Sequence, residues 1–215
     1  PGTRAGEIEG DIRVTLVPSR SAPSENVLPT GGEVTAAIRG KRLTADLAPL
    51  RALDAEVQGR VELESWERLG GHVQARTDDT GSLLAQLARY LGRKQPLVDL
   101  RFAGPATAAV DLGGTVKNPA ISASAASPGL QVGTLRDVAL EAQVVYADDA
   151  LRIGSGQVKW QRQVATASGT VSFRKGDRAI AIRSHVDNGD LQAVLKGLDL
   201  DLPVTGAFTA DAAIG

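Results

Sequence analysis

Apolar residues recur mainly at every second position along this chain, and polar residues fill the gaps. "EIEGDIRVTL" (7–16) sets Ile8, Gly10, Ile12, Val14 and Leu16 on one side, with Glu7, Glu9, Asp11 and Arg13 on the other. "EVQGRVELES" (56–65) repeats the arrangement with Val57, Gly59, Val61 and Leu63. Successive side chains of a strand point to opposite faces, so each stretch predicts a half-buried strand with one wet face.

The second half reads as a meander. "RDVALEAQVVYA" (136–147) turns at Asp148-Asp149 into "ALRIGSG", and "QVKW" turns at Gln161-Arg162 into "QVATASGTVSF". Lys175-Gly176-Asp177 predicts a further turn into "RAIAIRSHV". Short turns between alternating runs imply antiparallel neighbours. Apolar parity switches from Leu151 and Ile153 to Val158 and Trp160, which predicts a bulge at Gly154-Ser155-Gly156.

Three segments carry helical spacing instead. "TDDTGSLLAQLARYLGR" (77–93) offers Asp79 or Thr80 as a cap, a stripe of Leu83, Leu84, Leu87, Tyr90 and Leu91, and a stop at Gly92. "ADLAPLRALDA" (45–55) and "NGDLQAVLKGLDLDLP" (188–203) predict shorter one-sided helices. With "GEVTAAIRG", "RLTADL", "HVQART" and "LVDLRFAG", the chain predicts about fourteen strands. Residues 19–31 fit no element and read as a loop.

A repeat underlies the order. "EIEGDIRV", "EVQGRVEL", "PATAAVDL" and "PVTGAFTA" centre on Gly10, Gly59, Ala108 and Gly206, at spacings of 49, 49 and twice 49. Three of these strands follow a Leu-rich helical stretch, as a repeat architecture predicts. The chain is therefore read as one repetitive segment over 1–215.

An open twisted sheet rarely exceeds roughly ten strands without curling or splitting into two layers. A sandwich needs large core side chains, but Ala, Val and Gly dominate here, beside three Phe, two Trp and two Tyr. Such thin walls favour an all-β, mostly antiparallel sheet that curls around an unfilled apolar interior.

Charge narrows the partners. Twenty-four Lys+Arg against 25 Asp+Glu leave a net charge of -1, and aromatic content is 3%. Neither favours nucleic acid. There are no cysteines, so thiolate chemistry and disulfides are excluded. No apolar run is long enough to span a bilayer. A chain that starts at Pro1 and lacks Met reads as a piece of a longer protein.

Catalytic equipment is sparse. His72 and His185 stand alone on predicted strands, outside any ligand spacing. Asp78-Asp79 and Asp148-Asp149 fall at a helix start and a turn, where Asp satisfies free N–H groups. Asp199 and Asp201 alternate with leucines as a wet face. No phosphate-binding glycine loop or nucleophile elbow is present. The chain is read as no enzyme, with no cofactor and no metal.

The stretch 110–173, "VDLGGTVKNPAISASAASPGLQVGTLRDVALEAQVVYADDALRIGSGQVKWQRQVATASGTVSF", resembles the repeat of AsmA-like, TamB-type envelope proteins. Its elements correspond to Gly114–Pro119, Leu130–Gly133, Asp137–Ala142, Asp149–Ile153 and Ala167–Val171, in that order. "LKGLDLDLPVTGAFTADAAIG" is similar to the family's helix exit into the next repeat. The match is clearest over 105–215 and looser over 1–104.

The resemblance implies a β-taco, a half-pipe with an apolar groove. It implies a periplasmic segment of a protein anchored in the inner membrane of a diderm bacterium. Phospholipid or another acyl-chain lipid would be the cargo, and an Omp85-type outer-membrane protein a partner. The groove lining would come from Ile8, Ile12, Val14, Val57, Val61, Leu63, Val138, Leu140, Ala142, Val144, Leu151, Ile153, Ala165, Val171, Phe173, Ile180, Ile182 and Phe208. Two other readings stay open. One is a scaffold that assists outer-membrane β-barrel assembly through sheet edges or groove. The other is an adhesin or stalk. An inner face that is apolar along its whole length favours lipid, and a polar interruption favours edge pairing.

Overall fold

The computed structural model describes residues 9–18, 30–93, 101–174, 179–197 and 203–214. Five strands open the chain: β1 (Glu9–Leu16), β2 (Thr30–Arg39), β3 (Arg42–Ala52), β4 (Ala55–Glu64) and β5 (Arg68–Thr77). Helix α1 (Thr80–Tyr90) and the short β6 (Phe102–Ala103) interrupt the meander. It resumes as β7 (Ala106–Gly114), β8 (Pro119–Val132), β9 (Leu135–Ala147), β10 (Ala150–Trp160), β11 (Gln163–Ser172) and β12 (Ile180–Asp190). Helix α2 (Leu191–Gly197) precedes the last strand, β13 (Ala207–Ile214).

All thirteen strands join one open, antiparallel sheet. Its path runs β1-β2-β3-β4-β5-β7-β8-β9-β10-β11-β12-β13, and β6 pairs off the path with β8. Only Ala88, Leu130 and Val138 are buried hydrophobics among the described residues, so no second layer closes a core. Leu130 and Val138 face each other across β8 and β9, and α1 lies against β6, where the Thr80 N–H donates to the Gly104 carbonyl.

Turn and cap chemistry follows the sequence. Asp148 and Asp149 take left-handed φ angles of 52° and 56° between β9 and β10. Asp79 caps α1, its Oδ1 accepting from the Gly81 and Ser82 N–H groups. Gly92 follows the helix with φ 65°, a left-handed stop that glycine adopts without steric cost. The bulge at Gly154–Gly156 is present. Ile153 faces Val144, and the next pairs are Ser155 with Gln143 and Gly156 with Ala142.

One element differs. Residues 45–55 form no helix but the body of β3, the Leu53-Asp54 turn and the start of β4. Between the pairs Leu47–Gly59 and Leu50–Val57, β3 fits Ala48 and Pro49 against the single residue Gln58. This bulge puts Leu47 and Leu50 on one face at a spacing of three, which imitates a helical stripe. Pro49 lacks the N–H that a helix interior needs, and a bulge is where a sheet tolerates it.

The repeat is modified accordingly. Gly10, Gly59 and Ala108 sit in β1, β4 and β7, and Gly206 immediately precedes β13. Only β7 and β13 follow a helix, whereas β4 follows β3. Gly59 is a close-approach glycine, since a Cβ there would collide with the His72 carbonyl. Thr30 and Gly31 begin β2. The rest of the 19–31 stretch, the 175–177 turn and Asp199 and Asp201 lie outside the described residues.

Candidate functional site

Register builds one continuous face. Residues paired directly across a seam share a face, and the face alternates along each strand. One row therefore runs Val14, Val34, Leu47, Gly59, Val73, Val110, Ala123, Val144, Ile153, Gly169, Ile182 and Ile214. It crosses all twelve strands of the path without a polar side chain.

A parallel row is larger. Ile12, Ala36, Ala45, Val61, Gly71, Leu112, Ile121, Tyr146, Leu151, Val171 and Ile180 pair in turn. On the other side runs a thin row of Val57, Ala75, Ala108, Ala125, Ala142, Gly156 and Ala167, which ends at Ser184 and Ala212. Strand spacing of about 4.8 Å carries these rows over a distance on the order of 50 Å.

The expected lining residues gather here. Ile12, Val14, Val57, Val61, Leu63, Leu140, Ala142, Val144, Leu151, Ile153, Ala165, Val171, Ile180, Ile182 and Phe208 share this face. Val138 shares it too, but it is only 3% exposed and is closed off from any ligand. Phe173 lies just past β11 and is exposed, its N–H donating to the Asp149 carbonyl. Ile8 lies outside the described residues. The sequence reading did not single out Val34, Leu47, Val73, Val110 and Ile214. Their own period-two parity carried the signal, but the face of each strand was fixed only by register.

Exposure differs between the faces. In β8, Ala123 and Ala125 are half-buried, while Ser122, Ser124 and Ala126 on the opposite side are exposed. The Tyr146 phenol, in the apolar row, is pushed up in pKa first by desolvation and then by its hydrogen bond to the Asp149 carboxylate, 3.3 Å away.

The opposite face is polar and charge-paired. Arg60 clasps Asp46 at 2.6 Å, and this hydrogen bond holds the Asp46 carboxyl below its usual value. Arg39 grips both oxygens of Asp11 at 2.7 and 2.8 Å. Arg76 meets Glu56, while Arg42 and Arg68 share Glu64. The two histidines repeat one motif: His72 Nδ1 lies 2.6 Å from Asp111 Oδ1, and His185 Nδ1 lies 2.7 Å from Asp211 Oδ1. Both pairs are exposed and cross-strand, and Thr166 lies opposite His185 on the same face.

A hollow of about 630 Å³ lies over this polar face, walled by Gln58, Gln74, Thr107, Ser124, Gln143 and their neighbours. A second of about 360 Å³ adjoins His185 and Asp211. Among the described residues no group of three or more His, Cys, Asp or Glu is placed to hold a metal ion. No helix is long and apolar enough to cross a membrane. No protein-family model matches the chain, and no curated protein or solved structure matches it either.

Proposed function

We propose that the chain is a periplasmic bridge segment of the AsmA-like, TamB type, whose apolar face curls into a groove that carries phospholipid between membranes. The observation that supports this reading is the uninterrupted apolar row from Val14 to Ile214. Removing methylene groups from water is worth about 0.8 kcal/mol each, so a sixteen-carbon tail crossing water costs on the order of 13 kcal/mol. A conduit lowers that barrier with a continuous apolar lining and needs no reactive group. The thin row of Ala75, Ala108, Ala125, Ala142 and Gly156 leaves room for a tail between flanking Val, Leu and Ile side chains. A bound tail also explains why so many apolar side chains stand uncovered.

The bulges in β3, β8 and β10 bend their strands and supply local curvature. On this reading the chain has no catalytic role, its parent is membrane-anchored, and the Omp85-type protein is its outer-membrane partner.

Native mass spectrometry of the purified chain tests the proposal. The expected spectrum shows the 22.3 kDa protein carrying phospholipid masses that detergent exchange removes. A bare chain that also takes up no photoreactive fatty acid on Ala125 or Val144 strands would overturn it and favour the edge-pairing scaffold.

A further inference from the structure

The larger hollow at the centre of the polar face follows from side-chain length read across the register. One row over β5, β7, β8 and β9 runs Gln74, Ala109, Ser124 and Gln143, and the next runs Arg76, Thr107, Ala126 and Glu141. Both rows go long, short, short, long. Short side chains on β7 and β8 make a floor, and longer ones on β5 and β9 stand as walls three strand spacings apart, about 14 Å. The space between them is about 630 Å³, within the roughly 300–1,000 Å³ of small-molecule sites. Gln58 and Glu56 on β4 back the β5 wall.

We propose that this hollow binds a neutral oligosaccharide laid along β7 and β8. The site lies on the face away from the apolar rows and is independent of what they carry.

Wall chemistry selects the ligand. Gln58, Gln74 and Gln143 end in amides, Glu56 and Glu141 in carboxylates, and Arg76 in a guanidinium. Each is a planar, two-pronged group, and adjacent hydroxyls on a sugar ring answer it with two partners that both donate and accept. Gln74 Nε2 lies 3.1 Å from His72 Nε2, which leaves Gln74 Oε1 for a hydroxyl. The side chains of Ser124, Glu141 and Gln143 have no hydrogen-bond or ion-pair partner among the described residues. Ala109 and Ala126 are diagonal neighbours on the floor, and their methyl groups offer a small apolar patch to the C–H face of a ring.

Other ligands fit less well. Two carboxylates against one guanidinium disfavour a phosphate or a uronate, and Arg76 already meets Glu56 at 3.2 Å. A peptide finds no free backbone here, because β7 and β8 are each paired on both sides. No aromatic side chain lines the hollow, so hydrogen bonds carry recognition and binding should be weak.

Nitrogen-15 NMR of the 22.3 kDa chain reads the site residue by residue. Cellotetraose, maltotetraose and tetra-N-acetylchitotetraose are titrated separately to millimolar concentration. At least one is expected to give saturable shifts centred on Gln74, Thr107, Ala109, Ser124 and Gln143. Gln143→Ala should weaken binding about tenfold, as loss of one hydrogen bond does. Ala126→Leu raises the floor at an exposed position and should abolish binding. Thr170→Ala, on the same face in β11 but outside the hollow, should leave it unchanged. The spectra themselves show whether each variant is folded. No saturable shift with any of the three sugars overturns the proposal. Shifts that glycerol reproduces at equal hydroxyl concentration overturn it too, as do stronger shifts from a neutral Gly/Ser/Asn/Thr peptide. Binding that survives both Gln143→Ala and Ala126→Leu places the ligand elsewhere and has the same force.

Discussion

Val144 stands directly opposite Ile153 across the β9–β10 seam, while its chain neighbour Gln143 faces Ser155 on the other side of the sheet. One peptide unit thus separates the apolar row from the polar hollow. This gives an internal control for any test of the proposed groove.

On the proposed lipid-conduit reading, Val144→Asp or Ile182→Arg in the proposed longer parent should slow lipid passage. An ion beside passing tails loses hydration, and a barrier rise of about 3 kcal/mol corresponds to a rate lowered roughly a hundredfold. Gln143→Asp places the same kind of charge on the wet face and should do little. Complementation of envelope permeability, with expression and circular dichroism as checks, reads the result. If both groove variants fold and complement fully, the lipid conduit is wrong and the scaffold reading gains.

Gly59→Ala should destabilise the chain by about 2 kcal/mol or more, because the added Cβ meets the His72 backbone carbonyl and φ is 154°. Gly10→Ala, where a Cβ meets nothing within 4 Å, should change stability by less than about 0.5 kcal/mol. Urea unfolding of the two variants side by side measures the contrast.

Inserting one alanine between Gly156 and Gln157 adds a second parity change to β10 that the neighbouring strands do not match. Val158 would then leave the apolar face unless the strand slips or bulges again. Hydrogen exchange should show lost protection in β10 and β11 with β1–β5 unchanged. Unaltered protection across β10 would mean the seam absorbs the extra residue without losing its register.

Asp46 gives a pH signature. Its folded pKa is lowered from 3.8, first through the Arg60 hydrogen bond. A depressed carboxylate stabilises the fold above its unfolded pKa, and that contribution fades as pH falls through the folded value. Thermal melts from about pH 5 downward should therefore fall less steeply for Asp46→Asn than for the unaltered chain. Identical slopes would show that the pair adds nothing. High salt should shrink the difference, since the pair is exposed.

Local chemistry was legible in the sequence. The Asp79 cap, the Gly92 stop, the Asp148-Asp149 turn and the Gly154–Gly156 bulge all stand where residue type places them. β3 was not, because its bulge at Ala48-Pro49 gives leucines a helical spacing within a strand. Seams between distant segments were also hidden. His72 meets Asp111 only because β7 returns beside β5 after the excursion through α1 and β6. Period two shows that each side chain faces one way or the other, but only register decides which residues become a row.

Apart from β5–β7, every seam of the main path joins strands consecutive in sequence, several through two-residue turns. Hairpins with such short loops close cheaply, so the chain can assemble as a zipper from any of several starting points. Each strand answers mainly to its two neighbours, and damage in one seam stays local. The β5–β7 seam alone must wait for an intervening helix and strand to be laid down. It divides the zipper into two runs, and a chain threaded from its N-terminus would finish β1–β5 before the second run begins.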